Sequence, residues 1–259
     1  MVEREALVAR LLDRHGRTFA EEVGIDLRGG GSDAAFQLCV AALLIGARIG
    51  TTIAVAAARS LFEAGLTSAR RMHESTRQQR VDALGRGGYV RYDESTATYL
   101  GDTAALLLAR YDGDLDGLRA AADHDPAREE QLLRECKGIG RVGAAIFLRE
   151  IQTVWPEVRP FADTAITAPA AALGLPRTAA GLATMAGDDD LSRLAGALLR
   201  ADRAGEVEAL RNGDDLPPSP TQLATATKQR LLEFARAYDL PGRSRMRRDE
   251  LAAALAELG

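Results

Sequence analysis

The stretch CKGIGRVGAA at residues 136–145 decides the fold, because two glycines flank an isoleucine and an apolar run begins directly after them. Glycine adopts positive φ without strain and lets another backbone approach closely, so the pattern predicts a tight turn between two helices. Eighteen residues beyond Ala145 stands Asp163, within the segment FADTAI. Two roles fit this turn: a plain connection between core helices, or a grip for an anion near a carboxylate.

The start of the helix after this turn has the chemistry of a phosphate site. The amides of a helix's first turn have no partner within the helix and lie at the positive end of its dipole. Lys137 and Arg141 would add positive charge beside them, and Ile139 would anchor the turn in the core. Glycine–apolar–glycine is also common in ordinary turns, so the motif alone leaves both roles open.

Helical spacing dominates the rest of the chain. Residues 3–15 place Leu7, Leu11 and Leu12 on one face, and residues 34–49 are apolar on nearly all sides, which predicts a buried central helix. No segment shows the sustained alternation of a strand, and no Asn-Gly hairpin occurs. The sequence therefore predicts an all-α fold.

Composition restricts the function classes. The 259 residues carry a net charge of −4, which excludes a polycation that coats nucleic acid but not a local basic face. No apolar run is long enough to span a bilayer and no signal peptide is visible, so we expect a soluble cytoplasmic protein without a membrane partner. Cys39 and Cys136 are expected to be buried small hydrophobes. Chemistry that needs a side-chain amine has only Lys137 and Lys228.

The segment NGDDLPPSPTQ, residues 212–222, marks a boundary. Its closely spaced prolines and adjacent acids predict an exposed linker over residues 212–225. Residues 1–211 then form the main domain. Residues 226–259 form a small module of two helices around the loop DLPGRSRM.

The order of motifs resembles the helix-hairpin-helix DNA glycosylase superfamily of the endonuclease III type. The hairpin is followed by an apolar helix, then by FADTAI, then by ALGL at residues 172–175, and the upstream segments 36–63 and 83–115 match in order as well. The resemblance covers residues 34–176. It implies two helical lobes, formed by residues 34–124 and by residues 1–33 with 125–211.

The family implies a role for each matched position. Asp163 falls on the catalytic aspartate. The hairpin residues that would grip DNA phosphates are Lys137, Gly138, Ile139, Gly140, Arg141, Val142 and Gly143. A flipped base cannot be attacked inside the stack, so the enzyme would extrude it, and a carboxylate would stabilise the positive sugar and orient the attacking water. An ordinary helix N-cap is the other role that fits Asp163.

Candidates for the base pocket and for intercalation are Arg48, Tyr89, Tyr92, Trp155 and Thr164. The aromatic rings could stack on a base, and Thr164 could orient Asp163. Arg48 replaces the glutamine that many relatives carry, so it could fill the gap left by the extruded base or be a solvated residue at a helix end. Trp155 could equally be a packing residue.

Several departures from the family restrict the chemistry. Val142 stands where bifunctional members carry the lysine that attacks the sugar, so the covalent lyase route is not available. No cysteine follows Cys136, so no iron–sulfur cluster is expected, and the histidines and cysteines show no zinc spacing. No other cofactor is expected; a monovalent cation at the hairpin is left open. Ala165 replaces the histidine that follows the aspartate in relatives.

The C-terminal module resembles the SAP-like or Rho N-terminal type, which often binds nucleic acid. Residues 226–259 hold seven basic and five acidic residues, a net charge of +2. The candidate phosphate contacts cluster in the loop and helix start: Arg243, Arg245, Arg247 and Arg248. A solvated helix start or a protein-docking tail would explain the same cluster.

The sequence thus predicts a monomeric, monofunctional DNA glycosylase of base excision repair, acting in a bacterial cytoplasm. Its partner would be double-stranded DNA with a damaged base or an abasic site. Two alternatives remain: a non-catalytic DNA-binding protein, and a lyase or endonuclease at abasic or structured sites. The substrate lesion is not encoded in any motif.

Overall fold

The computed structural model describes residues 2–187 and 191–257, and within those ranges every regular element is helical. The predicted all-α class is confirmed for this part of the chain. The helices are α1 (Val2–His15), α2 (Phe19–Val23), α3 (Gly31–Ile45), α4 (Thr51–Glu63), α5 (Ala69–Glu74), α6 (Arg77–Arg86), α7 (Asp93–Tyr111), α8 (Leu115–Ala121), α9 (Pro126–Leu133), α10 (Arg141–Ile151), α11 (Thr164–Ala172), α12 (Ala179–Ala186), α13 (Leu191–Arg203), α14 (Val207–Asn212), α15 (Pro220–Thr225), α16 (Lys228–Ala237) and α17 (Arg248–Ala256).

The chain forms two compact units. The hairpin unit is Thr18–Phe161, and the aspartate unit is Met1–Arg17 together with Ala162–Gly259. Residues 1 and 188–190 of the predicted main domain and residues 258–259 of the predicted C-terminal module lie outside the described residues.

Helix α3 is the centre of the hairpin unit. Eleven of its fifteen residues are buried, and it packs against α4 on one side and α10 on another. The predicted buried helix is therefore present, although it ends at Ile45 and a short turn occupies residues 46–50. Burial of so many Ala and Leu side chains from one helix supplies much of the unit's hydrophobic stabilisation.

Arg80, on α6, is a buried cation that joins three helices of the same unit. Its guanidinium donates to the carbonyl oxygens of Ala97 at 2.7 Å, Met72 at 3.1 Å and Ser75 at 2.7 Å, and to the Ser75 hydroxyl at 2.9 Å. The end of α5 and the second turn of α7 are thereby tied to α6. A charge this deep is tolerated because fixed dipoles replace its water.

In the aspartate unit, α1 packs along α13 and ends in an ion-pair cluster. Arg14 makes a two-pronged bond to Glu206, at 2.7 and 2.6 Å, and His15 Nε2 lies 2.7 Å from the same carboxylate. Burial alone would raise the pKa of Glu206, but the hydrogen bonds from Arg14 and His15 outweigh it and the pKa is lowered. The carboxylate therefore stays ionised at neutral pH and fixes the end of α1.

The prediction of an exposed linker is wrong for residues 217–225. Arg14 donates to the carbonyl of Pro217 at 2.6 Å, and the hydroxyl of Ser219, which is buried, bonds to the carbonyl of Arg14. Residues 220–225 form α15, which packs on α1 and α17. The prolines that suggested a linker include Pro220 at the first helical position, where proline favours a helix start.

The C-terminal residues form a small hydrophobic cluster that includes α15. Its buried members are Leu223, Leu231, Ala235, Leu240, Leu251 and Leu255. Leu223 belongs to the segment expected to be a linker, so the module begins earlier along the chain than residue 226. Leu223 adds an apolar side chain to a core that would otherwise be formed by two short helices alone.

Candidate nucleic-acid interface

The glycine turn of the hairpin unit is a short connection between α9 and α10. Gly138 has φ +93°, and a Cβ there would lie 3.0 Å from Tyr99 Cδ2 and 3.2 Å from Leu43 Cδ1. Ile139 is buried, as the sequence predicts, and its amide donates to the carbonyl of Cys136 at 3.0 Å. Glycine is favoured at position 138, because any other residue would be strained at this φ and its Cβ would crowd Tyr99 and Leu43.

The start of α10 faces solvent beside this turn. The first intrahelical bond of α10 runs from the amide of Ala144 to the carbonyl of Gly140, at 3.0 Å, so the three preceding helical amides have no helical partner. Arg141 is exposed and has no ion-pair partner within residues 2–187 and 191–257. Val142 is 60% exposed. Gly143, by contrast, is buried, so only the amides of the exposed Arg141 and Val142 are available to a ligand. These two amides, the helix dipole and the exposed guanidinium of Arg141 have the chemistry that suits a phosphate.

The positive charge of Lys137 is partly neutralised by an acidic side chain. Its Nζ lies 3.3 Å from a carboxylate oxygen of Asp102 and 5.6 Å from the centre of the Tyr99 ring. Both members of the ion pair are largely exposed, so the pair is weak. A phosphate can therefore compete with Asp102 for this ammonium group.

Gly138→Ala is expected to lower the free energy of unfolding by about 2 kcal/mol and to weaken DNA binding. The cost arises because alanine at this positive φ is strained and its methyl group would crowd Tyr99. Urea unfolding followed by circular dichroism measures the first effect, and duplex binding by fluorescence anisotropy the second. Gly140→Ala is the matched control for stability, since φ is −89° there and no atom lies within 4 Å of the added carbon. Equal losses of unfolding free energy in the two variants would contradict the proposed geometry.

In the aspartate unit, Asp163 occupies the N-cap position of α11. Its carbonyl accepts from the amides of Ile166 at 3.0 Å and Thr167 at 2.9 Å. Its side chain, however, makes no capping hydrogen bond to the helix. The structure therefore does not support side-chain capping as the reason for an aspartate at this position. Thr164, the first residue of α11, is exposed.

Two of the predicted pocket aromatics belong to the core of the hairpin unit. Tyr89 is 1% exposed, with its hydroxyl 3.3 Å from Thr96 Oγ1. Trp155 is 3% exposed and packs edge-on against Phe147, with 5.4 Å between ring centres. Neither ring can reach a base without local unfolding, so the structure argues against the prediction that they stack on one. The packing role left open for Trp155 is the one observed.

The other two candidates of the hairpin unit are accessible. Tyr92 is 50% exposed at the start of α7, with the guanidinium of Arg91 4.9 Å from its ring centre. Val90 beside it is exposed as well. Arg48 is exposed in the turn after α3. Tyr92 and Arg48 therefore remain candidates for contact with a base.

Most of the C-terminal arginines bond to their own module. Arg243 donates to the carbonyl of Leu240 at 3.0 Å, and Arg247 pairs with Glu250 at 3.0 Å in a capping arrangement at the start of α17. Arg248 donates to the carbonyl of Ala224 at 2.7 Å and to Asp249 at 3.0 Å. Arg245 is exposed and has no such bond within the described part of the module. Their predicted phosphate contacts stay predictions; Arg245 and Arg247 are the two exposed members of the four.

A carboxylate pair next to α9 is not evident from the sequence. Glu129 is fully buried, and neither of its oxygens meets a hydrogen-bond donor in the described structure. Glu157 lies beside it and binds Arg119 at 2.7 Å. Burial, and then the charge of Glu157, raises the pKa of Glu129 to about 7. Two acceptors side by side are compatible only when a proton lies between them, so Glu129 holds a proton at mildly acidic pH.

Glu129→Gln is expected to flatten the pH dependence of stability between pH 5 and pH 8. The pKa of Glu129 is raised on folding, so its contribution is fully present below about pH 4.5 and is lost as pH rises through about 7. The wild type should lose about 2–3 kcal/mol of unfolding free energy over this range, whereas glutamine cannot ionise. Urea unfolding at four pH values measures both slopes.

Glu130→Gln is the control for this prediction, because Glu130 lies on the same helix but is only half-buried and forms a weak pair with Arg134 at 3.6 Å. Its pH profile should follow that of the wild type. A Glu129→Gln profile as steep as the wild type would contradict the shared proton.

No group of three or more potential metal ligands occurs among the described residues. No helix in the described ranges is long and apolar enough to cross a membrane. Comparisons with protein-family models, with curated proteins and with solved structures find no match to this chain. A functional proposal therefore depends on the residues and their geometry.

Proposed function

We propose that this chain is a monofunctional DNA glycosylase with the two-lobed helix-hairpin-helix architecture. It would act in the bacterial cytoplasm as a monomer, on double-stranded DNA that carries a damaged or mismatched base. The observation that carries the proposal is the hairpin: Gly138 is packed beside Tyr99 and Leu43, Ile139 is buried, and Arg141 and Val142 at the start of α10 are exposed. These features support binding of a DNA phosphate at this turn.

Binding would begin at the phosphate backbone. Arg141 and Lys137 flank the exposed amides and would neutralise one or two phosphates, which fixes the register of the duplex without selecting sequence. The exposed Tyr92 and Arg48 are the candidates for contact with the displaced base or for filling its place. Arg245 of the C-terminal module would add a further phosphate contact.

Asp163 would carry the chemistry. Departure of a base leaves positive charge on the deoxyribose, as in other glycoside hydrolyses, and a fixed carboxylate stabilises that charge. The same carboxylate can orient or deprotonate a water that attacks the sugar. Support comes from the position of Asp163 after the hairpin in sequence and from a side chain that does not cap α11.

We do not expect this protein to cleave the DNA strand. Val142 is the second residue of α10, where a lyase of this type would need an amine, and its side chain is exposed but inert. The chain has only two lysines, and Lys137 lies on the other side of the turn. The abasic product would therefore be released with its strand intact.

A panel of duplex oligonucleotides tests this function with the full chain. The duplexes carry uracil, hypoxanthine, alkylated purines, oxidised bases or mismatches, with an unmodified duplex as control. Release of one base class is expected, with strand breaks only after alkali, and borohydride should trap no covalent adduct. Binding without release would favour the non-catalytic alternative, and spontaneous breaks with a trapped adduct would favour the lyase.

Val142→Lys extends this test. An amine at position 142 would meet the abasic sugar if α10 binds DNA as proposed, so borohydride should trap this variant on abasic DNA and not the wild type. Arg134→Lys is the matched control, because it places a lysine at an exposed position. Arg149→Lys would not serve, because Arg149 is buried. Equal trapping of both lysine variants would argue against the placement of α10 on DNA.

A further inference from the structure

The aspartate unit contains a pocket that the proposed glycosylase chemistry does not use. Its volume is about 450 Å³, within the range of about 300–1,000 Å³ that is usual for small-molecule sites. Its lining comes from α1 and from the carboxyl ends of α11 and α14. Asp163 lies at the opposite end of α11, which has nine residues, so about 13 Å of helix separates it from the pocket. The pocket is therefore separate from the candidate catalytic aspartate.

The floor of this pocket consists of three leucines, Leu7, Leu173 and Leu210. Leu173 and Leu210 are buried, whereas Leu7 of α1 is only half-buried. Apolar surface that faces a pocket is stabilised when a ligand removes it from water. The floor therefore suits a molecule with a hydrocarbon or aromatic body.

The rim of the pocket is cationic. Among the described residues, three arginines and no acidic side chain line it: Arg4, Arg10 and Arg211. Arg4 and Arg10 lie on the same face of α1 as Leu7, because residues three apart are neighbours on a helix surface. A guanidinium group binds a phosphate through two parallel hydrogen bonds, and a phosphate monoester carries a charge of about −1.5 to −2 at neutral pH. The rim therefore fits a phosphate better than a singly charged carboxylate.

The arginines of the rim keep hydrogen-bond donors available for a ligand. Arg4 has no hydrogen bond or ion pair within the described residues. Arg211 pairs with Glu208 at 3.8 Å, and this pair is weak because both side chains are exposed. Arg10 donates to the carbonyl of Asp214, but a guanidinium group has five N–H donors.

Capping of the neighbouring helices does not account for this cluster of arginines. The amides of Gly213 and Asp214 donate to the carbonyls of Leu210 and Ala209, at 3.3 and 2.9 Å, so the backbone itself closes α14. Amides that follow α11 bond to its last carbonyls in the same way. The negative end of the α11 dipole favours a nearby cation. Three guanidinium groups without an acidic side chain in the lining nevertheless leave positive charge for an anion to neutralise.

We propose that this pocket binds a small organic monophosphate, with the phosphate on the arginines of the rim and the apolar body on the leucines of the floor. Charge complementarity selects the head of the ligand, and the half-buried Leu7 selects its body. The proposed site is distinct from the hairpin, which belongs to the other unit.

Isothermal titration calorimetry of the full chain with phenyl phosphate tests the proposal. This probe joins a phosphate to an aromatic ring and should bind with a dissociation constant of about 0.1–1 mM, as its small size allows. Inorganic phosphate lacks the ring, phenylacetate carries a single charge and benzyl alcohol carries none, so each should bind at least about fivefold more weakly. Undetectable binding of phenyl phosphate, or equally tight binding of any comparison compound, would overturn the proposal.

Ala6→Trp should abolish this binding, because Ala6 is an exposed residue of the pocket lining and an indole there would occupy the space. Ala9→Trp is the matched control, since Ala9 is exposed on the same helix but does not line the pocket. Both positions are at the surface, so both variants should fold. Equal binding by the two tryptophan variants would place the ligand elsewhere and contradict the proposed site.

Substitution of the rim tests the role of its charge. Combined Arg4→Gln and Arg211→Gln should weaken phenyl phosphate binding by about tenfold or more, because two charged donors are lost. Arg236→Gln, at an exposed position on α16 of the same unit, should leave it unchanged. An equal loss in this control would mean that general surface charge attracts the probe, and the proposal would fail.

Duplex DNA is another source of phosphate groups, and competition distinguishes it from a small ligand. A saturating unmodified duplex should leave the affinity for phenyl phosphate unchanged. Displacement of the probe by the duplex would assign the rim arginines to a DNA interface and overturn the proposal. None of these measurements depends on base release, so their outcome is independent of the proposed glycosylase function.

Discussion

Asp163→Asn is expected to reduce base release by about 100- to 10,000-fold while affinity for the lesion duplex stays close to that of the wild type. Asparagine has nearly the same shape, but it carries no charge to stabilise the sugar cation and cannot accept a proton from water. The backbone of Asp163 already provides the helix start through its carbonyl bonds to Ile166 and Thr167. The substitution should therefore leave α11 intact.

Single-turnover release kinetics and anisotropy binding, on the substrate that the panel identifies, separate chemistry from binding. Asp202→Asn is the matched control, since Asp202 is an exposed carboxylate on α13 of the same unit. Its kinetics should equal those of the wild type. A folded Asp163→Asn variant with full activity would refute the role of Asp163 but not the glycosylase function, whereas an inactive wild type would refute the function itself.

The class of the fold and the hairpin were accessible from the sequence because both depend on local patterns. Apolar residues at helical spacing predicted the helices, and the glycines around Ile139 predicted a tight turn with a buried isoleucine. The prediction of an exposed linker failed at residues 217–225, although a local sequence pattern there indicated a helix. Ser219, Pro220 and Gln222 form a capping box with proline at the first helical position, and that pattern predicts a helix start.

The remaining differences depend on tertiary packing, which no local pattern records. Tyr89 and Tyr92 are three residues apart in the same glycine-rich segment, yet one ring is buried and the other exposed. Glu129 stands among charged residues of an ordinary amphipathic helix, and only the packing around α9 shows that it is buried beside Glu157.

Arg80→Met is expected to lower the free energy of unfolding by about 3 kcal/mol, the largest stability effect that we predict for a single side chain. Methionine fills much of the same space but donates no hydrogen bond, so the carbonyls of Ala97, Met72 and Ser75 and the Ser75 hydroxyl each lose one donor. The Met72 carbonyl keeps the Ser75 hydroxyl as a donor, at 2.6 Å. A hydrogen bond from a charged donor contributes about 1.5–3 kcal/mol, and the apolar replacement and local relaxation offset part of the loss. Urea unfolding followed by circular dichroism measures the change.

Arg77→Met on the same helix is the control, because Arg77 is exposed and pairs only with the exposed Glu94 and Thr98; it should cost less than about 1 kcal/mol. Equal costs in the two variants would show that the buried donor network is not what holds α5, α6 and α7 together.

Gly101 on α7 offers a second test of the same network. A Cβ there would lie 2.7 Å from a guanidinium nitrogen of Arg80, so α7 needs glycine at this position to admit the buried cation. Gly101→Ala should therefore be destabilising in the wild type and much less so in the Arg80→Met variant, where the flexible thioether can move aside. Non-additivity of the two substitutions would show that they act on one site, since independent sites give additive costs. Additive costs would instead mean that the close approach between Gly101 and Arg80 does not limit stability.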